Sequence, residues 1–145
     1  MTLHLIKLSV GVESIEHLAA LQAARQKARR AKGEEPSLYH VTRMWPKRQA
    51  ELLDGGSIYW VIKGAIRCRQ GLAGFAETVN GQGLPACALV LDPRLVAVAP
   101  RPFRAFQGWR YLPSADAPRD LPGGIDPAAD LPAEMADELR GLGLI

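Results

Sequence analysis

The sequence predicts an α+β domain, in which a small and mostly antiparallel β-barrel is flanked by helices. Three observations predict it. A helical stretch with clear apolar periodicity lies near the front; about six short β-rich runs follow, with glycines at their bends; and strands and helices do not alternate as a doubly wound sheet requires.

The elements follow in order. Leu3 to Leu8 is apolar on both alternating sides, which suits a strand buried within a sheet, and Gly11 ends it. Ser14 offers an N-cap hydroxyl, Glu16 sits in the first turn, and Ile15, Leu18, Leu21, Ala24 and Ala28 recur at helical spacing, so residues 14–32 read as a helix closed by Gly33. Leu38 to Thr42 is a second strand, and Pro46 starts a short helix running through Leu53 before Asp54-Gly55-Gly56. Ser57 to Ile62 is the clearest strand, since every residue after Ser57 is β-branched or aromatic. Residues 65–70 alternate, with Arg67 and Arg69 on one face and Ile66 and Cys68 on the other, and residues 71–76 continue through glycines that suit a bulge. After the turn at Asn80-Gly81-Gln82-Gly83, residues 86–91 and 95–99 read as two strands joined tightly at Asp92-Pro93. In residues 102–112, period two separates Phe103, Trp109 and Tyr111 from Arg104, Phe106 and Arg110, predicting a last strand that packs its aromatics and turns its arginines outward.

A chain of 145 residues, about half of them apolar, is the size of one compact domain. Residues 1–113 form the α+β barrel domain; residues 114–145 form a Pro/Gly-rich arm with a short helix near 131–142, packed on the same domain. The charge is uneven: residues 1–113 carry sixteen Lys/Arg against eight Asp/Glu, and residues 114–145 carry two against seven. A basic body attracts nucleic acid, phosphorylated ligands or acidic partners. Two distant cysteines, Cys68 and Cys87, indicate neither a disulfide framework nor a zinc ribbon, so a reduced cytoplasm is the expected location. The first apolar run is too short for a membrane span, and no signal-peptide pattern follows it. No cofactor, metal or membrane partner is expected, and the oligomeric state is open.

The runs "YHVTRMWPKR" (Tyr39–Arg48), "GGSIYWVIKG" (Gly55–Gly64) and "FQGWRYL" (Phe106–Leu112) resemble a bacterial family catalogued as a domain of unknown function, over most of residues 1–121. That resemblance assigns no activity. A short helix ending in "ELLDGGSIYWVI", then "GLAGFAETV", looks like the layout of PUA-like domains of the ASCH and EVE groups, although the ASCH "GxKxxExR" signature is absent. Those are small barrels in which a crevice receives a nucleotide or an RNA strand, so the resemblance implies nucleic-acid binding without fixing a contact.

Arg43, Lys47 and Arg48 surround Trp45 at the start of the short helix, whose N–H groups could hold a phosphate. Lys63, Arg67 and Arg69 would extend a basic groove, with Trp45 or Tyr59 as a stacking platform and Arg104 and Arg110 as secondary contacts. The competing reading places Tyr59 and Trp60 in the core and the charges on its rim. The basic run Arg25, Lys27, Arg29, Arg30 and Lys32 is either a solvated helix end or a phosphate-contacting patch. The expected function is non-enzymatic binding of RNA or a nucleotide-like anion. The first alternative is a small enzyme acting on a phosphorylated or nucleotide substrate through His40 or Cys68, marked by a deep pocket around His40; the second is a protein-interaction module.

Overall fold

The structure is a computed structural model describing residues 2–35 and 37–121. Its elements run β1 (Leu3–Leu8), α1 (Ile15–Ala31), β2 (Leu38–Thr42), α2 (Gln49–Leu52), β3 (Ser57–Ile62), β4 (Ala65–Val79), β5 (Pro85–Pro102) and β6 (Trp109–Pro113), followed by a 3-10 turn at Ser114–Asp116. The six strands form one sheet in the order β2-β5-β4-β3-β1-β6. Every pair is antiparallel except β1 with β3, where Leu5 faces Ile58 and Lys7 faces Trp60. The α+β class therefore holds, and the closed barrel does not: the sheet is open, with β2 and β6 as its two edges.

Helix α1 begins where the sequence places it, with the Ser14 hydroxyl accepting the His17 N–H at 3.0 Å. Its buried stripe, Ile15, Leu18 and Gln22, lies on one face of the sheet, and most of the basic residues of its second half stay exposed. Strand β3 is buried along its whole length because both of its faces are covered. On the α1 side, Leu5, Trp60, Cys68, Leu89 and Leu95 form the main core with Leu18 and Leu52. On the other side, Ile6, Tyr59, Val61, Ile66, Val98 and Leu112 form a smaller core covered by Phe103, Phe106 and Ala117.

Strands β4 and β5 are longer than the sequence suggests. The two strands expected around Asp92-Pro93 are one, because the turn residues are absorbed as a bulge: Gln70 faces Leu95 while Leu72 faces Leu91. The Asp92 carboxylate accepts the Arg94 N–H at 2.8 Å and stabilises the kink. With further register shifts between Ile66 and Cys68 and between Leu72 and Gly74, the β4–β5 ribbon bends. The bend carries β2 over the main core, where the His40 ring meets Trp60 edge-on at 5.1 Å.

The last strand is shorter than expected. Gly108, at φ +71°, makes a turn that only a left-handed residue fits comfortably, and the strand begins at Trp109. Phe103 and Phe106 thereby join the smaller core while Trp109 and Tyr111 pack on the main one, so Phe103 does not share a face with Trp109 and Tyr111 as period two implied, whereas Phe106 lies opposite them as expected. Residues 119–121 run beside β5, with Ala99 N–H donating to Arg119 and Leu121 N–H to Ala97 at 2.8 and 2.9 Å. The remainder of the expected arm, including the helix at 131–142, lies outside the described residues. No helix among the described residues is long and apolar enough to cross a membrane.

Candidate functional site

The residues expected to form one groove fall into two groups on opposite faces of the sheet. The first group is the segment after β2. Met44 accepts the Trp109 indole N–H at 3.0 Å, and the Lys47 and Arg48 N–H groups donate to the Tyr111 hydroxyl at 2.9 and 3.2 Å. This is how the segment bridges the two sheet edges. Helix α2 begins at Gln49 and not at Pro46 as expected, and the Lys47 and Arg48 N–H groups just before it already have the phenol oxygen as acceptor. Arg48 is held in a forked bond to Glu51 at 2.9 and 2.6 Å, its guanidinium 5.7 Å from the Tyr111 ring centre. Arg43, Trp45 and Lys47 are exposed.

The second group is tied down elsewhere. Tyr59 is buried in the smaller core, edge-on to His4 at 5.1 Å, so it presents no stacking surface. Its register partner Arg69 donates two bonds of 2.7 Å to Asp120 and one of 3.0 Å to Ser57. That pairing holds the Asp120 carboxyl below its usual range. Arg67 is the extra residue of a bulge, since Trp60 and Val61 are adjacent while their partners Cys68 and Ile66 are not. The bulge sends Ile66 and Cys68 to different faces, against the alternation expected, and Arg67 donates to the Ile62 carbonyl at 2.7 Å. Lys63 occupies the β3–β4 turn at φ +52°, within 3.6 Å of Glu13. Arg110 lies 4.5 Å from the Phe106 ring centre, and Arg104 is exposed beside Phe103. Tyr59, Arg67 and Arg69 therefore do not join Arg43 and Trp45 in one groove.

A different constellation lies at the unclosed seam of the sheet. Between β1, β2 and α1 is a recessed cleft of about 110 Å³, into which Lys7, Arg25, His40, Gln22 and Tyr39 come together beside Trp60. Among the described residues, no Asp or Glu lines it. The Nε2 atom of His40 is buried without a hydrogen-bond partner among the described residues. Burial, then the positive charges of Lys7 and Arg25, push the His40 ring down to about 4, so it is neutral near pH 7. Burial also lowers the Lys7 ammonium from its usual value. Lys7 occupies an inward-facing position of β1, in line with Leu3 and Leu5, where an apolar residue would ordinarily sit.

Behind the cleft a buried amide network fixes its walls. Gln22 and Gln70 exchange side-chain bonds of 2.9 and 2.8 Å, Gln70 also donates to the Asp92 carbonyl at 2.8 Å, and its oxygen accepts the Trp60 indole N–H at 3.2 Å. The network ties α1, β3, β4 and β5 together at one point and holds the indole against which His40 rests. Beyond Lys7, which lines both, a wider groove of about 670 Å³ opens between Val41–Met44 and Gln107–Trp109, with Arg43 on one wall and the Trp109 indole on the other.

Of the residues the sequence points to, the structure gathers His40 at the cleft and Arg43 at the groove beside it. Lys7 and Arg25 were not assigned to the site from sequence; the available signals were a lysine on the inner side of an apolar strand and the first cation of the helical basic run. Cys68 is fully buried and its thiol is pushed up to about 12, which leaves no thiolate for chemistry. Among the described residues, no three His, Cys, Asp or Glu are placed to hold a metal ion.

No curated protein and no solved structure matches this chain. The match of residues 5–145 to a family model is extensive, and the chain belongs to that family, described as a protein of unknown function, DUF1489.

Proposed function

We propose that the protein binds a nucleotide-like anion at the seam, as a free nucleotide or as part of an RNA strand, without transforming it. One observation carries this reading: Lys7, Arg25 and a neutral His40 converge on a cleft that no carboxylate among the described residues lines. Two cations with no carboxylate among the described residues lining their cleft create a field that favours a phosphate, and the recess strengthens it by excluding water. The adjoining groove supplies what a nucleoside needs, with the Trp109 indole for stacking and Arg43 for a further phosphate. The sequence layout that resembles PUA-like domains agrees with this use of a crevice.

The test is fluorescence anisotropy with a short labelled RNA at low salt, in wild type and in Lys7→Gln and Arg25→Gln variants. Binding that weakens with salt and weakens further in both variants supports the proposal. Binding unaffected by either substitution places the ligand elsewhere and defeats it.

The recess around His40 favours a second reading, in which the ring acts as a general base on a phosphorylated substrate. Release of inorganic phosphate from nucleotides by the wild type, lost in His40→Ala while binding persists, would replace the binding-only reading.

A further inference from the structure

Resting on the binding reading above, we infer that the cleft recognises a terminal phosphomonoester, the end of a nucleotide or strand, and rejects an internal phosphodiester. Size makes the first argument. At about 110 Å³ the cleft is large enough for a phosphate group in place of several waters. Pockets for ligands of nucleoside size begin near ~300 Å³, so a base and ribose do not fit there but do fit the neighbouring groove of about 670 Å³.

Shape makes the second. The cleft ends on core side chains, Val12, Leu18, Leu38 and Leu91, all buried against the sheet. An internal phosphodiester carries a nucleoside on each side, and a recess floored by these core side chains leaves little room for the second of them. An end group enters and leaves the rest of the ligand in the groove beyond Lys7.

Charge makes the third. A phosphomonoester carries about −1.5 to −2 near pH 7, roughly twice the charge of a diester, and presents three terminal oxygens. Lys7 and Arg25 supply two positive charges at the cleft. In the tautomer with its proton on Nε2, the neutral His40 ring supplies an N–H that has no other acceptor among the described residues. Three donors meet three oxygens.

The experiment compares four-nucleotide RNAs carrying an internal fluorophore and either a 5′-phosphate, a 3′-phosphate, or hydroxyls at both ends. The expected result is that at least one phosphorylated RNA binds about tenfold or more tightly than the RNA with two hydroxyl ends, matching a set of charge-assisted bonds. Lys7→Gln and the exposed Arg25→Gln should erase that ratio, whereas Arg43→Gln should weaken every RNA alike. Unchanged thermal melting of Arg25→Gln guards against a folding artefact. Equal binding of all three RNAs overturns the terminal-phosphate inference and leaves the binding reading standing; no binding of any RNA or of free nucleotide at low salt overturns both.

Discussion

Replacing His40 with leucine makes stability less sensitive to acid. In the folded protein the ring is held down at about 4, by burial first and then by Lys7 and Arg25, against 6.5 in an unfolded chain. Between those values the unfolded chain takes up a proton that the folded protein refuses, so stability is lost as pH falls from about 6.5 toward about 4. Above that window the ring is neutral in both states and contributes no pH dependence. Going from pH 7 to pH 5, the linkage costs the wild type about 2 kcal/mol, on the scale of ~1.36 kcal/mol per pKa unit. Urea denaturation of wild type and His40→Leu at both pH values isolates the contribution, because every other titrating group is common to the two proteins. The wild type should lose about 2 kcal/mol more than the variant. At pH 7 the variant should be within about 1 kcal/mol of wild type, since it also removes a buried nitrogen that lacks a partner. Equal losses in the two proteins would mean that the ring is well solvated, and the recessed cleft would go with it.

Gln70→Leu strips acceptors and donors from Gln22, the Trp60 indole and the Asp92 carbonyl at once, and should cost about 2–4 kcal/mol in chemical denaturation; adding Gln22→Leu should cost less than the sum of the single changes. Gly56→Ala drives a Cβ to 2.2 Å from the Leu52 carbonyl oxygen and 2.3 Å from that of Leu3, both backbone, and should destabilise by about 3 kcal/mol or more. Gly74→Ala, whose nearest contacts lie at 3.9 Å, is the control and should be tolerated in the same melting assay. Asp120→Asn loosens the forked bond to Arg69 and should cost about 1 kcal/mol or less, the side chains being partly exposed, with faster hydrogen exchange at Ala99 and Leu121. The depressed Asp120 carboxyl lends its stability above the ordinary carboxylate value and loses it as pH falls further, a separate and more acidic window than that of His40.

Local features were legible in the sequence and long-range ones were not. Ser14, the spacing of Ile15 and Leu18, and the β-branched and aromatic run of β3 depend on neighbours a few residues away, and the structure agrees with each. Sheet order and the parallel pairing of β1 with β3 depend on distant partners, which no short pattern encodes. The bulge at Arg67 shows the cost: a single extra residue reassigned Ile66 and Cys68 to opposite faces. The cleft shows it again. His40 stood out as a candidate, but its companions come from two other elements: Lys7 is signalled only as a cation on the inner side of an apolar strand, and Arg25 is one of a run of basic residues. The aromatic and basic segment around Trp45 was recognised as unusual, yet its contacts with Trp109 and Tyr111 show that much of its role is to bridge the sheet edges.

The place of β1 in the sheet has a consequence for how the molecule is made. Of the described strands it is synthesised first, yet Leu5 lies between Ile58 on one side and Tyr111 on the other. Helix α1 and the β4–β5 hairpin need only nearby residues and can form while the chain is still growing, whereas β1 must wait for β3 and then for β6. Residues 107–109, which wall the groove, arrive with that final strand. The proposed binding surface is thus completed in the same event that completes the sheet, and a nascent chain lacks this groove until nearly all of the described domain has emerged.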